Sequence, residues 1–231
     1  MENKLIKELL NNNQWLRNKV DPQKLAASKK QYVDTYICRD LVGANLLDVG
    51  AGEGTFSFIC KQKGASCLDI MKVKEPKRKG TEEQINSYDY EEYCDLHHII
   101  LGVDYIRLNF FDLVSCFKFK IKNFPDLLQN FIMNKFDVIN FSWSFNQVFR
   151  NHVSRNNRVY EWLFSTDLIT DLHAMAELLA SITNVGGMII IDHLYAINQT
   201  LFDDQFRGIL KQYDIDEIVK YGYLTTKYRK Q

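Results

Sequence analysis

Short apolar segments alternate with amphipathic segments along most of this chain. Five of the apolar segments have the length and the Val, Ile, Leu and Phe content of buried strands, and the stretches between them carry apolar residues at helical spacing. This alternation is typical of an α/β fold with a largely parallel sheet. The strands are predicted at residues 45–49, 65–70, 105–110, 136–141 and 184–192.

Helices are predicted before and between these strands, at residues 5–20, 23–41, 55–63, 125–135 and 168–182, and one more is predicted in the tail that begins at residue 203. The first two would form an N-terminal helical cap within residues 1–44. Residues 71–103 and 143–166 are longer than a crossover requires and are interpreted as insertions. The first insertion is interpreted as a charged surface loop and a surface helix that carries His97 and His98. Residues 116–124 alternate apolar side chains with lysine and predict a short extra strand.

Length and composition indicate a single domain covering residues 1–231. The chain is 46% hydrophobic, which is enough for a sizeable core, and its 29 basic residues balance its 29 acidic ones. A net charge of zero gives no global attraction to nucleic acid or to an anionic membrane. No signal peptide and no bilayer-spanning run is recognised, and the five cysteines show no C-x-x-C spacing. The expected location is therefore the cytoplasm, with no membrane partner.

The most distinctive segment covers residues 46–58 and reads LLDVGAGEGTFSF. Gly50, Gly52 and Gly54 follow an apolar run that contains one acid, Asp48. Glycines at alternate positions predict a tight turn between a buried strand and a helix, where a ligand can lie directly on the backbone. A dinucleotide fingerprint would need a third glycine at position 55, which is Thr, so the spacing disfavours an NAD-dependent oxidoreductase.

The D-x-G-x-G-x-G form of this segment resembles motif I of the class I S-adenosylmethionine (SAM)-dependent methyltransferases. The resemblance extends over residues 30–231 and is most specific at this motif. It implies a doubly wound, mostly parallel seven-stranded sheet with an antiparallel C-terminal hairpin, formed here by residues 217–221 and 223–228. It also implies SAM as the cofactor. Asp48 would lie near its aminoacyl end, and the turn would pass beside its sugar and methionine chain (Gly50, Ala51, Gly52 and Gly54).

Asp69, followed by Ile70, is predicted near the C-terminal end of the second strand. It lies 19 residues after Gly50, close to the distance of about 20 residues at which nucleotide-binding α/β folds place a ribose-binding acid. One carboxylate can accept hydrogen bonds from both vicinal hydroxyls of a ribose. Asp69 and Ile70 are therefore predicted at the cofactor's ribose, and the alternative is a solvated aspartate at a strand end.

Two further cofactor contacts are implied by the resemblance. Phe111 and Asp112 match, by position, the family's apolar residue against the adenine ring and its acid on the adenine amino group. The F-D-V-I segment at 136–139 is similar to motif IV of the small-molecule enzymes. This similarity implies that the backbone near Phe141 and Ser142 faces the methyl group of the cofactor.

Methyl transfer from a sulfonium is an in-line displacement, so much of the catalysis can come from holding the nucleophile on the C–S axis in a water-poor pocket. A base is needed only where the nucleophile must lose a proton of high pKa. His193 directly follows the fifth strand, a position that faces the reacting centre in many members of the family. It is the first candidate for that base, a structural or solvated histidine is the alternative reading, and Asn146 is the second candidate.

Several acceptor classes are disfavoured because their motifs are absent. Residues 140–143 read Asn-Phe-Ser-Trp and lack the prolines of enzymes that methylate the amino groups of nucleic acids. No cysteine has the neighbour typical of a cytosine-C5 enzyme, and the loop after the fourth strand has no pair of glutamates. Ser142 and His193 stand where catechol-type enzymes would bring metal-binding acids, so no metal is predicted. The remaining class transfers the methyl group to an O or N atom of a small-molecule acceptor.

Two alternatives stay open at this stage. An RNA methyltransferase would use the basic loop at residues 72–79 and the lysines of the predicted extra strand, Lys118, Lys120 and Lys122, although zero net charge counts against it. A scaffold protein could keep the SAM pocket without turnover, because one fold hosts many functions.

Overall fold

Seven strands form one sheet in the computed structural model, which describes residues 30, 33–35, 37, 40–73, 82–120, 133–142, 166–192, 199–221 and 225–231. Strands β1 to β7 are, in chain order, Asn45–Val49, Ser66–Met71, Asp104–Arg107, Phe136–Ser142, Thr183–Asp192, Ile215–Tyr221 and Thr225–Lys230. Their order across the sheet is β3-β2-β1-β4-β5-β7-β6. Strands β1 to β5 run parallel, and β7 is antiparallel to both β5 and β6. The predicted sheet and its antiparallel C-terminal hairpin are confirmed.

Five helices of the described chain pack on this sheet. Helices α1 to α5 are Thr55–Gln62, Glu82–Leu101, Phe110–Lys118, Thr166–Ile182 and Gln199–Lys211. Helix α1 begins directly after the glycine-rich segment, and Gly64 follows its end with a φ of 90°. Only glycine adopts this left-handed conformation without strain, so Gly64 ends the helix as its position in the sequence predicts.

Successive side chains of the parallel strands pack into two separate hydrophobic cores, one on each face of the sheet. On one face, Leu47 and Ile139 pack with helices α3, α4 and α5. On the other face, Leu46 and Val138 pack with helix α1 and with residues before β1. Because successive side chains of a strand point to opposite faces, a sheet covered on both sides is apolar at nearly every position. Polar residues inside these strands are therefore exceptions that need a partner.

The structure differs from the sequence prediction between residues 105 and 118. Strand β3 ends at Arg107, and Phe110 already begins helix α3, which continues to Lys118, so the extra strand predicted from Cys116 is wrong in this part. The Asn109 side chain accepts a hydrogen bond from the Phe111 N–H at the start of the helix. Three apolar side chains at helical spacing are buried there: Phe110, Leu113 and Val114.

Several other predictions lie outside the described residues. They are the N-terminal cap up to residue 29, most of the helix predicted at 125–135, and the insertion at 143–166 apart from its last residue. Within the described residues, no helix is both long and apolar enough to cross a membrane.

Candidate cofactor site

The site lies where the strand order of the sheet reverses. From β1 the chain adds β2 and β3 on one side, and then returns to place β4 on the other side of β1. Open α/β sheets bind ligands in the crevice outside the carboxyl ends of the strands at such a switch point. The glycine-rich turn, residues 50–54, leaves β1 at this edge and leads into helix α1.

The glycine-rich turn has a backbone that only glycines adopt easily. Gly50, Gly52 and Gly54 have φ values of 76°, 57° and 71°. The N–H groups of Gly50 and Ala51 donate hydrogen bonds to the Ile70 carbonyl oxygen, at 2.8 and 3.3 Å, and connect the turn to β2. The predicted turn is thus confirmed as a local structure, and it leaves the backbone bare of side chains at three alternate positions.

Asp48 is buried at the switch point next to a polar partner. It is 1% exposed, and Asn140 of β4, its neighbour in the sheet register, donates a hydrogen bond from Nδ2 to its Oδ1 at 2.7 Å. The amide satisfies a carboxylate that would be costly to bury alone. Asp48 is therefore fixed in orientation directly before the turn, and Asn140 is a site residue that sequence reasoning did not single out.

Asp69 does not have the exposure that a ribose-binding acid needs. Strand β2 continues to Met71, so Asp69 lies inside the strand and is 0% exposed. One carboxylate oxygen accepts a hydrogen bond from the Ser57 hydroxyl, and the other lies 2.8 Å from Nε2 of His98. Both oxygens are thus engaged by protein groups. The predicted ribose role of Asp69 does not agree with this arrangement, in which the residue joins β2 to α1 and α2.

The buried environment of Asp69 shifts the pKa of its carboxyl. Burial raises the pKa of Asp69 because a charged carboxylate loses its hydration, and the hydrogen bonds from His98 and Ser57 oppose this rise without cancelling it. Nδ1 of His98 lies 2.8 Å from the Cys94 carbonyl oxygen and must donate to it, because a carbonyl only accepts.

His97 and His98 are buried, and their predicted place on a helix surface is wrong. Both are 0% exposed on the inner side of helix α2. Nδ1 of His97 lies 2.5 Å from the Glu53 carbonyl oxygen, and a Cβ added to Gly54 would lie 2.8 Å from Nε2 of His98. The two histidines therefore contact successive residues of the glycine-rich turn.

A helical stripe in the sequence could have located these histidines. Tyr93, Cys94, His97, His98 and Leu101 recur at the spacing of one helix face, and all five are buried. The acidic run at residues 88–93, which contains Asp89, Glu91 and Glu92, suggested an exposed helix and hid this stripe. Charge at one end of a helix says little about its other end.

Four further candidate cofactor residues lie within the described part of the chain: Phe111, Asp112, Phe141 and Ser142. The Phe141 side chain is fully buried in an edge-to-face contact with Phe110, which leaves its backbone for the role predicted beside the cofactor's methyl group. Ser142 ends β4 beside Asp192 of β5. In the first turn of α3, Phe111 is half-buried, and Asp112 is exposed and accepts a hydrogen bond from the Asn109 side chain at 3.1 Å.

The two candidate catalytic residues, His193 and Asn146, lie outside the described residues. His193 follows Asp192, the last residue of β5, in sequence. Among the residues that the structure does describe, no group of three or more His, Cys, Asp and Glu side chains is arranged to hold a metal ion.

No protein-family model and no curated protein matches this sequence. Among solved structures, one similar to this chain is a Streptococcus mutans protein described as a candidate SAM-dependent methyltransferase, with a TM-score of 0.52 and 12% identity over 87% of this chain and 48% of that one. A SAM-dependent methyltransferase from Clostridium acetobutylicum ATCC 824 has a TM-score of 0.46 and 10% identity over 96% of both chains. Magnesium protoporphyrin IX methyltransferase from Synechocystis PCC 6803, with S-adenosylhomocysteine (SAH) bound, has a TM-score of 0.43 and 12% identity over 91% of this chain and 83% of that one.

The fold is therefore that of the class I SAM-dependent methyltransferases, shown by the sheet order and by the first of these similarities. The chain spans about half the length of that Streptococcus protein. Similarity at this level of identity establishes a fold, and the reaction has to be argued from the site.

The contact between Gly54 and His98 predicts an unequal cost for two matched glycine substitutions. Gly54→Ala places a Cβ 2.8 Å from a ring held at both nitrogens, whereas Gly43, with nearly the same φ of 72°, has no atom within 4 Å of such a Cβ. Gly54→Ala should lower the free energy of unfolding by about 1–3 kcal/mol more than Gly43→Ala, the usual cost of overpacking. Urea denaturation of both variants measures this difference, and equal losses would contradict the rigid contact.

Asp69→Asn should change the pH dependence of stability. Because the pKa of Asp69 is raised in the folded protein, the unfolded chain loses this proton first, at about pH 4, and wild-type stability falls as the pH rises from there through the folded pKa. The asparagine does not titrate, so Asp69→Asn should gain stability relative to wild type over this range, by at most about 1.4 kcal/mol per pH unit. Urea denaturation between pH 4 and 8 tests this, with Asp216→Asn on β6 as the control. A parallel pH profile for wild type and Asp69→Asn would refute it.

Proposed function

We propose that this protein is a SAM-dependent methyltransferase that transfers the methyl group to an O or N atom of a small molecule. The observation that carries the proposal is the glycine-rich turn at the switch point of a β3-β2-β1-β4-β5-β7-β6 sheet. Its bare backbone and the N-terminus of α1 form a surface on which a nucleoside can lie at the carboxyl edge of β1.

In this proposal the cofactor lies along the turn from Gly50 to Gly54. Asp48, oriented by Asn140, faces its aminoacyl end, and Phe111 and Asp112 take the adenine. The backbone of Phe141 and Ser142 borders the methyl group. Asp69 is left out of the cofactor contacts because its oxygens are engaged inside the protein.

Two observations favour a small molecule over RNA as the acceptor. The formal net charge of the chain is zero, so it lacks the basic excess that drives phosphate binding. Lys118, one of the lysines assigned to an RNA-binding strand, lies in helix α3 and forms an ion pair of 2.7 Å with the buried Asp171. Its ammonium group therefore serves a contact between α3 and α4 rather than a phosphate.

The reaction needs the acceptor atom in line with the C–S bond of the cofactor, in a pocket that excludes water. The carboxyl ends of β4 and β5 form the adjoining edge of the sheet, where Ser142 pairs with Asp192. His193 comes next in sequence and is proposed as the base that removes the acceptor's proton, with Asn146 as a second polar group of the acceptor site.

Calorimetric titration with SAH, with NAD in parallel, tests the cofactor. Wild-type protein should bind SAH with micromolar affinity and should not bind NAD. Gly52→Ala should weaken SAH binding at least about tenfold, since it adds a side chain at a left-handed position in the middle of the turn on which the cofactor is proposed to lie. Gly102→Ala is the matched control, because Gly102 has a φ of 64° with no atom within 4 Å of an added Cβ. Binding of NAD, or of neither ligand, would overturn the proposal.

His193→Ala separates catalysis from binding once an acceptor is found with labelled SAM. If His193 is the base, turnover should fall roughly a hundredfold while SAH affinity stays unchanged. Turnover within threefold of wild type would assign the histidine a structural role. Binding of SAH without transfer to any acceptor of the O- and N-nucleophile classes would favour the scaffold function instead.

A further inference from the structure

Helix α2 holds the second half of the glycine-rich turn through His97. Nδ1 of His97 lies 2.5 Å from the carbonyl oxygen of Glu53, the residue between Gly52 and Gly54. Since the oxygen can only accept, Nδ1 carries the proton and donates it. The first half of the turn is tied to β2 through Ile70, so the His97 bond restrains a part of the turn that the sheet does not reach.

His98 supports the same turn by contact. Its ring lies so close to Gly54 that an added Cβ would be 2.8–3.0 Å from three ring atoms. The ring cannot turn away freely, because Nδ1 is bonded to the Cys94 carbonyl and Nε2 to the Asp69 carboxylate, each at 2.8 Å. The turn thus packs against the His98 ring, which is held by hydrogen bonds at both of its nitrogens.

Helix α2 is in turn fixed to the sheet next to these histidines. The Arg107 guanidinium donates to Asp95 Oδ1 from Nε at 2.9 Å and from Nη2 at 2.7 Å. It also donates to the Glu91 carbonyl at 2.9 Å and to the Lys72 carbonyl at 2.6 Å. One side chain of β3 therefore connects α2 with the end of β2, which sets where the two histidines lie.

We propose that His97 and His98 are positioning residues for the cofactor: they hold the glycine-rich turn in the conformation that binds SAM. This inference rests on the function proposed above. Three glycines in five residues give the turn many accessible conformations, and a binding surface that must first be ordered loses affinity. Contacts from α2 order the turn before the ligand arrives, and neither histidine needs to touch the ligand.

Two substitutions of nearly equal size separate positioning from a general structural role. His97→Asn keeps an N–H donor at the same distance along the side chain as Nδ1, whereas His97→Leu removes the donor. Among the residues that the structure describes, Nε2 of His97 is buried and has no hydrogen-bond partner, so the leucine also removes an unsatisfied polar atom. The leucine also loses the hydrogen bond to the Glu53 carbonyl, and the two effects oppose each other, so the thermal midpoint of His97→Leu should stay close to that of wild type although its binding site is impaired.

Calorimetric titration with SAH and thermal unfolding are measured together on both variants. His97→Leu should bind SAH about tenfold more weakly than wild type, and His97→Asn should stay within threefold. His173→Leu on α4, where the histidine contacts Tyr213 and not the turn, is the control and should bind as wild type does. The SAH affinity of His97→Leu should therefore fall without a matching fall in its thermal midpoint. A histidine with a purely structural role would change both together.

The outcomes distinguish the two proposals. If wild type binds SAH and His97→Leu binds it equally well, the positioning role is overturned and the methyltransferase proposal stands. Equal weakening in His97→Leu and His97→Asn would also overturn it, because the retained donor would have no effect. If wild type does not bind SAH, the proposed function fails, and the inference fails with it.

Discussion

The carboxylate of Asp69 lies inside the protein, and the elements around the site are arranged so that its burial is tolerated. A buried carboxyl without partners would be strongly destabilising. Ser57 of α1 and His98 of α2 supply the partners, one for each oxygen. Two helices are therefore held against β2 by a single side chain, and the turn that precedes α1 is held with them.

A second polar pair lies one strand away. Asp48 and Asp69 are neighbours in the register of β1 and β2, so two buried acids stand side by side in the sheet. Their partners come from opposite directions: Asn140 reaches Asp48 from β4, while His98 reaches Asp69 from α2. This polar row crosses the central strands β2, β1 and β4 next to the glycine-rich turn. Buried networks of this kind are demanding because each member must be satisfied, and when they are satisfied they fix one arrangement of the elements around them.

Much of the fold could be predicted from the sequence because the buried strands carry strong local signals. The apolar runs at β1 and β4 place those strands to within one residue of their observed bounds, and Gly64 marks the end of α1. The glycine-rich turn was recognised for the same reason, since alternate left-handed positions require glycine. These features depend on residues that are close in sequence.

The differences between sequence prediction and structure concern residues whose surroundings depend on distant partners. The distance of Asp69 from Gly50 was correct for a ribose-binding acid, but β2 continues two residues beyond Asp69, and the carboxylate is enclosed by groups from α1 and α2. His97 and His98 follow an acidic run, so charge suggested a surface helix although their spacing marks the buried face. The lysines near residue 118 alternate with apolar residues, yet the capping Asn109 starts a helix that includes Lys118. Local sequence patterns do not show which distant helix or strand packs against a given residue.

The two strands of the C-terminal hairpin lie in the sheet in the opposite order from their order in the chain. Strand β7 lies between β5 and β6, so β6 is made first but has no strand to pair with until β7 has been made. During synthesis, the edge of β5 therefore stays open while all of β6 leaves the ribosome. Open strand edges invite pairing with other chains. Strand β6 can therefore join the sheet only through β7, and until β7 pairs with β5 the edge of β5 is open to pairing with other chains.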